Sequence, residues 1–165
     1  MVDVLTKTHT GGLQQAAVPG FTHPLDHCGW TEFPVMHDTR GNLTVIEGLQ
    51  HIPFDMQRIY YLYDIPSQAE RAGHAHRGLT QVFIAISGSF DLHLDDGVER
   101  RSVHLSRANR GYVVRPWIWR TLDNFSGNSV CLVLASHPYD EADYIRDHSA
   151  FRRAAKRRLM TQAAP

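Results

Sequence analysis

Closely spaced turn signals divide the middle of the chain into short apolar segments, and this spacing limits most strongly how the chain can fold. Between Cys28 and Ser136, stretches such as QRIYYLYDI and NSVCLVLAS are rich in the β-branched and aromatic residues that favour strands. Turn residues, such as those of 95–97 (DDG), separate these stretches after only a few residues. Short strands at such spacing predict an all-β sandwich or barrel rather than βαβ units.

The two ends of the chain differ from this middle part. Residues 1–30 are polar, are punctuated by glycine and proline, and show no sustained period, so we interpret them as an N-terminal extension. Near the other end, helix-forming residues accompany Tyr144, Phe151 and Leu159, whose spacing predicts one apolar face of a short C-terminal helix. We therefore divide the 165 residues into an extension (1–30), one domain (31–155) and a tail (156–165).

Composition and charge argue against several classes of protein. Seventeen basic and seventeen acidic side chains balance, so no global positive field attracts nucleic acid. No apolar run has the length of a membrane span, and the N-terminal residues lack the apolar stretch of a secretory signal. Two distant cysteines are too few for a disulfide framework. We expect a cytoplasmic protein without a nucleic-acid or membrane partner.

Two histidines precede the most apolar of the predicted strands. His74 and His76 stand two positions apart in RAGHAHRGLTQVF, between Gly73 and Gly78. Residues two apart on a strand point to the same side, so both imidazoles are expected to project together. Such a pair can hold a metal ion, or it can transfer protons without one.

The wider pattern around these histidines resembles the cupin superfamily. His74, His76, Gln81 and Gly88 resemble its first motif, and the segment from Gly111 to Asn124, which includes Pro116 and Arg120, resembles its second. Metal-binding cupins have a glutamate and a histidine where this chain has Gln81 and Arg120. Glutamine lacks a negative charge, and arginine cannot be a ligand. Since two histidines alone seldom make a metal site, the resemblance implies a cupin fold (a double-stranded β-helix or jelly-roll barrel) with no metal, whose histidines serve proton transfer.

A closer resemblance links several segments in order. The sugar 3,4-ketoisomerases, small cupins acting on dTDP-4-keto-6-deoxyglucose, look similar over residues 38–151, in the segments DTRGNLTVIEG, RIYYLYDIP, RAGHAHRGLTQVFIAISGSFDLHLDDG and FSGNSVCLVLASHPYDEADYIRD. This resemblance implies an isomerase without a cofactor that moves the ketone from C4 to C3 through an enediol. The product would serve deoxy-aminosugar biosynthesis, for example for O-antigen or another polysaccharide. It also implies a homodimer.

The resemblance suggests roles for individual residues. His76 is the candidate base and His74 its partner, with the two roles open to exchange. Tyr60 shares a strand face with Arg58, and its phenol is a candidate to bond a sugar oxygen or relay a proton. Gln81 takes the vacated ligand position and is expected to bond the substrate or a histidine.

The nucleotide part of such a substrate requires positive charge and an aromatic surface. Arginine suits a diphosphate because its planar group presents a fork of donors. The candidates, with Arg71 and Arg120 ranked first, are Arg40, Arg58, Arg71 and Arg120. Trp119 is a candidate to stack on the thymine.

Two residues bear on the stereochemistry of the product. Arg120 stands where a histidine could donate a proton to C4, and an arginine cannot, which favours the gluco product over galacto. Arg40 stands in DTRG, a form associated with galacto-type members, so the two residues disagree and we expect gluco. The alternatives are a nucleotide-sugar 3,5-epimerase of the cupin type and a non-catalytic cupin that binds a sugar nucleotide.

Overall fold

A computed structural model of the chain describes residues 24–162. The described part contains twelve strands, two short 3₁₀ helices and one α-helix. The 3₁₀ helices are Pro24–His27 and Glu141–Asp143, and the α-helix is α1 (His148–Gln162). The strands are β1 (Gly29–Glu32), β2 (Val35–Asp38), β3 (Gly41–Thr44), β4 (Arg58–Leu62), β5 (Arg71–His76), β6 (Gln81–Ser87), β7 (Phe90–Asp95), β8 (Arg100–Leu105), β9 (Arg110–Val114), β10 (Trp119–Asp123), β11 (Val130–Ala135) and β12 (Tyr144–Ile145).

Two five-stranded antiparallel sheets form the body of the domain. One has the strand order β1-β9-β6-β11-β4 and the other β12-β5-β10-β7-β8, while β2 and β3 form a separate hairpin. The main hydrophobic core draws on both sheets, because Phe83 and Val133 of the first cluster with Leu92 and Leu122 of the second. Strands β6, β7, β9 and β11 each send alternate side chains into this core. The predicted all-β cupin architecture with a short C-terminal helix is confirmed.

Further apolar clusters cover the outer sides of the two sheets. Ile52 and Phe54, from the long segment between β3 and β4, pack on Val82 and Ile84 of the first sheet. On the second sheet, Phe151 of α1 is fully buried in a cluster with Ala75 of β5 and Ile145 of β12. The helix therefore lies directly behind the strand that carries the paired histidines.

The C-terminal region departs from the predicted continuous helical pattern. Tyr144 does not belong to the helix but lies in β12, which pairs with β5 at His76 and Ala75. The backbone of residues 144–145 is extended because it completes the edge of a sheet, and tertiary pairing of this kind overrides local helix propensity. Phe151 and Leu159 do lie on the buried side of α1.

Both predicted domain boundaries fall inside secondary structure. Strand β1 crosses the boundary at 30/31, and Leu25 and Cys28 are buried in the main core. Helix α1 crosses the boundary at 155/156 and continues to Gln162. The rest of the predicted extension, residues 1–23, lies outside the described residues, as do residues 163–165. Among the residues described, no helix has the length and apolar character needed to cross a membrane.

Candidate active site

A cavity of about 640 Å³ opens between the two sheets. Strands β4 and β6 of one sheet, β5 and β10 of the other, and the segment before α1 supply its walls. The lining residues are Arg58, Tyr60, Leu62, Glu70, Arg71, Ala72, His74, Phe83, Arg120, Leu122, Tyr139, Tyr144 and Arg146. Two tyrosines and an arginine of this set, Tyr139, Tyr144 and Arg146, come from a segment for which the sequence predicted no site residue.

An irregularity in β5 aims His74 into the cavity. Ala72 and Gly73 have positive φ angles of 69° and 71°, and the register with β10 shifts between Arg120 and Thr121. A bulge of this kind redirects the following side chain, and a positive φ is uncommon for alanine. His74 lies on the cavity wall, and its buried Nδ1 has no hydrogen-bond partner among the described residues.

His76 lies behind the cavity wall and is held by a carboxylate. Its side chain is fully buried, and its Nδ1 lies 2.8 Å from Asp143 Oδ2. The other oxygen of Asp143 accepts a hydrogen bond of 2.6 Å from the backbone N–H of Gly78. This carboxylate favours the imidazole tautomer with the proton on Nδ1, which leaves the lone pair on Nε2.

Sequence reasoning missed Asp143. It lies 67 residues from His76 along the chain, and the two meet only because β12 pairs with β5. The sequence does contain a signal, since Asp143 belongs to the quoted segment YDEADYIRD. Nothing local separates this carboxylate from those of Asp140 and Glu141 beside it.

Both imidazoles are neutral at ordinary pH. The ring of His74 lies 4.8 Å from that of His76, and the Tyr144 ring packs on both at 4.9 and 4.3 Å. Burial, assisted by the positive charge of Arg120, lowers the pKa of His74 to about 3. Burial and Arg120 also lower the pKa of His76, although Asp143 is its neighbour. Neutral imidazoles can accept protons, so the pair is suited to base catalysis.

Tyr60 and Gln81 form a hydrogen-bonded pair beside the histidines. The Gln81 amide Nε2 donates to the Tyr60 Oη at 2.6 Å, while the buried Gln81 Oε1 has no partner among the described residues. Burial raises the pKa of Tyr60 to about 12, so the phenol keeps its proton. Because its oxygen already accepts from Gln81, its O–H is available to donate to a molecule in the cavity.

The arginines of the cavity lie at different depths. Arg120 is fully buried, Arg58 is half-buried against the rings of Tyr60 and Tyr139, and Arg71 is exposed at the start of β5. Arg146, which the sequence did not single out, is half-exposed, lies over the Tyr144 ring and makes two 2.8 Å hydrogen bonds to Glu141. Positive charge therefore extends from the mouth of the cavity to its inner end.

Two of the predicted site residues lie away from the cavity. Trp119 packs against His148 and Phe151 beside α1, because its neighbour Arg120 faces the cavity and adjacent residues of a strand point to opposite sides. Arg40 lies on the hairpin, 86% exposed and paired with Asp38. The other seven predicted residues line the cavity or, in the case of His76 and Gln81, contact side chains that do.

The donor set at this site does not resemble a metal centre. In residues 24–162, no three His, Cys, Asp or Glu side chains are grouped in a way that could hold an ion. At the inner end of the cavity the histidines are joined by an amide, a phenol and a guanidinium, whose chemistry is that of hydrogen bonding and proton transfer.

Comparison with known proteins agrees with this geometry. The family model described as "FdtA: WxcM-like, C-terminal" matches residues 26–156. The chain belongs to this family. A curated relative, the TDP-4-oxo-6-deoxy-alpha-D-glucose-3,4-oxoisomerase of Aneurinibacillus thermoaerophilus, is 39% identical over 121 residues, which are 73% of this chain and 87% of the relative.

Solved structures of similar proteins share the fold. The 3,4-ketoisomerase QdtA from Thermoanaerobacterium thermosaccharolyticum, as a histidine-to-asparagine mutant in complex with TDP-4-keto-6-deoxyglucose, is 36% identical, with a TM-score of 0.78 over 79% of this chain and 95% of QdtA. A 3,4-ketoisomerase from Helicobacter canadensis is 40% identical, with a TM-score of 0.76 over 78% of this chain and 97% of its own. The WlaRB TDP-quinovose 3,4-ketoisomerase from Campylobacter jejuni is 38% identical, with a TM-score of 0.73 over 76% of this chain and 97% of WlaRB.

Proposed function

We propose that the protein is a sugar-nucleotide 3,4-ketoisomerase that converts dTDP-4-keto-6-deoxyglucose to the 3-keto isomer without a cofactor. The observation that carries this proposal is the meeting of a neutral imidazole (His74), whose Nδ1 has no hydrogen-bond partner among the described residues, with a protonated phenol (Tyr60) and a buried guanidinium (Arg120) at the inner end of one cavity. Relatives 36–40% identical are named for this activity. The product would feed deoxy-aminosugar biosynthesis, and we expect the reaction to take place in the cytoplasm.

The reaction requires a base next to C3 of the sugar. The C3 hydrogen is α to the C4 ketone, so its removal gives an enediolate whose charge rests on the C4 oxygen. We assign the base to His74 rather than to His76, because only His74 reaches the cavity wall. His76, fixed by Asp143, supports His74 through ring contact.

The second half of the reaction restores a ketone at C3. A proton is added to C4, the C3 hydroxyl loses its proton, and the C4 oxygen gains one. Atoms and electrons balance, because oxidation at C3 offsets reduction at C4. Tyr60 presents its O–H toward the cavity and can bond the sugar oxygens while these protons move.

The nucleotide is anchored nearer the mouth of the cavity. A diphosphate is strongly hydrated and suits the exposed Arg71 and Arg146, with Arg58 between mouth and inner end. The sugar then occupies the inner end, beside His74 and Tyr60.

We further propose the gluco configuration at C4 of the product. Arg120 occupies a position from which an imidazole could deliver a proton, and a guanidinium does not release one near neutral pH. The WlaRB quinovose-type isomerase is 38% identical to this chain and the WlaRA TDP-fucose-3,4-ketoisomerase of the same organism 30%. Quinovose is 6-deoxyglucose and fucose is 6-deoxygalactose, so this difference supports the gluco proposal.

NMR of dTDP-4-keto-6-deoxyglucose incubated with the protein tests the function. In deuterated water we expect a 3-keto product with deuterium at C4. In ordinary water, a large coupling between the C4 and C5 protons would show gluco, and a small one galacto. Unchanged substrate, or deuterium only at C3 and C5 of a 4-keto sugar, would reject the isomerase in favour of a binding protein or a 3,5-epimerase.

We also propose that the protein is a homodimer. The hairpin β2–β3 exposes Val35, Met36 and Leu43, and a two-stranded hairpin is marginal alone. Edge strand β4 exposes Ile59 and Tyr61 on its outer side. Apolar surface beside an unpaired strand edge is covered in stable proteins, and a second copy would cover it.

Sedimentation of matched variants tests the dimer. We expect the parent protein to sediment at twice the chain mass of 18.7 kDa, and Met36→Glu combined with Tyr61→Glu to shift it toward monomer. The control is Met160→Glu, which changes a still more exposed methionine on α1. A parent protein that is monomeric at micromolar concentration would reject the proposal.

A further inference from the structure

Arg120 is a buried cation whose charge has no counter-ion among the described residues. No part of its surface is exposed, and no carboxylate of residues 24–162 forms an ion pair with it. One nitrogen, Nη1, donates to the backbone oxygen of His74 at 3.3 Å, while Nε and Nη2 have no hydrogen-bond partner within the described part of the chain. A buried charge without a partner destabilises a folded protein strongly, so an arrangement of this kind requires a reason.

The surroundings of Arg120 do not supply that reason. Asp143 is the carboxylate whose charge acts on it, but both oxygens of Asp143 are engaged by His76 and Gly78. An arginine with a structural role normally has its donors satisfied. Two free donors on a residue that lines the cavity instead indicate a ligand oxygen that arrives there.

The depth of Arg120 identifies which ligand oxygen this is. The diphosphate has Arg71 and Arg146 near the mouth, whereas Arg120 lies at the inner end beside His74. Its nearest ligand group is therefore the reacting part of the sugar. The ketone oxygen there is neutral in the substrate and becomes negative in the enediolate.

We infer that Arg120 is a catalytic residue whose Nε and Nη2 donors bind the C4 oxygen and stabilise the enediolate, rather than a ligand of the diphosphate. This inference rests on the proposed ketoisomerase function. The attraction increases as negative charge develops on the oxygen, so it stabilises the transition state more than the bound substrate. Burial and, after it, the same fixed charge lower the pKa of the neighbouring His74 and so keep it in its basic, neutral form.

Substitution of Arg120 distinguishes stabilisation of the enediolate from binding of the diphosphate. In Arg120→Gln we expect kcat to fall about 10²- to 10³-fold, the usual effect of losing a donor to an oxyanion. Exchange of the C3 proton with solvent should slow together with isomerisation, because both pass through the enediolate. The dissociation constant of dTDP, which lacks the sugar, should change less than twofold.

Two controls accompany this variant. Arg71→Gln, at the mouth, should weaken dTDP binding, and Arg107→Gln, on an exposed loop, should match the parent in kcat and dTDP affinity. Methylguanidine added to Arg120→Gln should restore part of kcat. If Arg120→Gln does not fold, Arg120→Lys keeps the charge without the fork of donors, and we expect an intermediate loss of kcat.

The outcomes are distinguishable. If the parent protein does not isomerise the substrate, the proposed function fails, and this inference fails with it. If the parent is active and Arg120→Gln, or a folded Arg120→Lys, keeps kcat within threefold while dTDP binding weakens tenfold or more, Arg120 is a nucleotide ligand and only the inference is overturned.

Discussion

His74 and His76 have the same side chain and lie on the same strand, but they can reach different partners. The bulge at Ala72 and Gly73 brings His74 to the cavity wall, while His76 remains behind it with Asp143. A sequence pattern shows that two such residues share a side. It does not show which of them meets the cavity, because that depends on a positive φ angle at Ala72 that alanine rarely adopts.

Replacing His74 is expected to remove proton abstraction without removing binding. For His74→Gln we expect kcat to fall about 10²- to 10⁴-fold, the range for loss of a general base. The affinity for dTDP should stay close to that of the parent in calorimetry. The control is His104→Gln, at an exposed position of β8, and retention of more than a tenth of kcat in His74→Gln would contradict the assignment.

The activity should depend little on pH near neutrality. His74 is neutral above its pKa of about 3, and Tyr60 keeps its proton below its pKa of about 12. Neither required form is lost between pH 5.5 and 9, so kcat, measured in brief assays, should be level over that range. A fall in kcat centred near pH 6.5, the ordinary pKa of histidine, would contradict a permanently neutral base.

The site residues differ in how far sequence could predict them. His74, Gln81 and Tyr60 were predicted because their motifs are local. Trp119 was placed in the cavity together with Arg120, although adjacent strand residues cannot both face it. Asp143 and Arg146 were missed because strand pairing over a long chain separation brings them to the site.

At the scale of elements, the 3₁₀ helix Glu141–Asp143 positions His76 through the carboxylate of Asp143. Asp143→Asn keeps the volume but removes the charge that holds His76 and Gly78. We expect the free energy of unfolding to fall by about 1–3 kcal/mol, since a buried donor loses its best partner. In ¹⁵N spectra, the His76 imidazole should change from a single Nδ1–H tautomer to a mixture.

A neighbouring carboxylate offers the control for this variant. Asp140 caps the same 3₁₀ turn by accepting from the Ala142 N–H, and asparagine caps as well as aspartate does. Asp140→Asn should therefore leave both stability and the His76 tautomer unchanged. An unchanged tautomer in Asp143→Asn would show that Asp143 does not position His76.

Helix α1 supports the catalytic strand from behind. Phe151 is fully buried between Trp119 and the cluster that contains Ala75, so Phe151→Ala should lower the free energy of unfolding by about 3–5 kcal/mol. Met160→Ala, on the exposed side of the same helix, should change it by less than about 0.5 kcal/mol. Urea unfolding measures both, and equal effects would show that the helix is not docked as described.

The sequence predicted the central strands better than the elements near the N- and C-terminal ends of the domain. The central strands follow from residue type and turn spacing, which act locally. The predicted boundaries at 30/31 and 155/156 fall within β1 and α1, whose positions depend on contacts with distant strands. Leu25, for example, is buried in the main core to which both sheets contribute.

At the scale of the whole molecule, the buried histidines make folding sensitive to acid. The pKa of His74 is lowered to about 3 in the folded state, so the unfolded chain binds more protons below pH 6.5. The stability that neutral His74 provides is complete above pH 6.5 and is lost as pH falls toward 3. By pH 5 the loss from this group is about 2 kcal/mol.

Unfolding measured at pH 7 and pH 5 tests this dependence. His74→Gln has no proton to bind at this position, so its free energy of unfolding should fall less between the two pH values than that of the parent protein. Identical falls in the two proteins would show that His74 is not the source of the acid sensitivity.

The two sides of β5 have a consequence for laboratory evolution of the enzyme. Ala72 and His74 line the cavity, whereas Ala75 packs with Phe151 of α1. Substitutions at sites that share no partner combine additively in most proteins. A library that strengthens the packing of α1 can therefore be selected first, and the stability it adds can then absorb substitutions that reshape the cavity for other sugars.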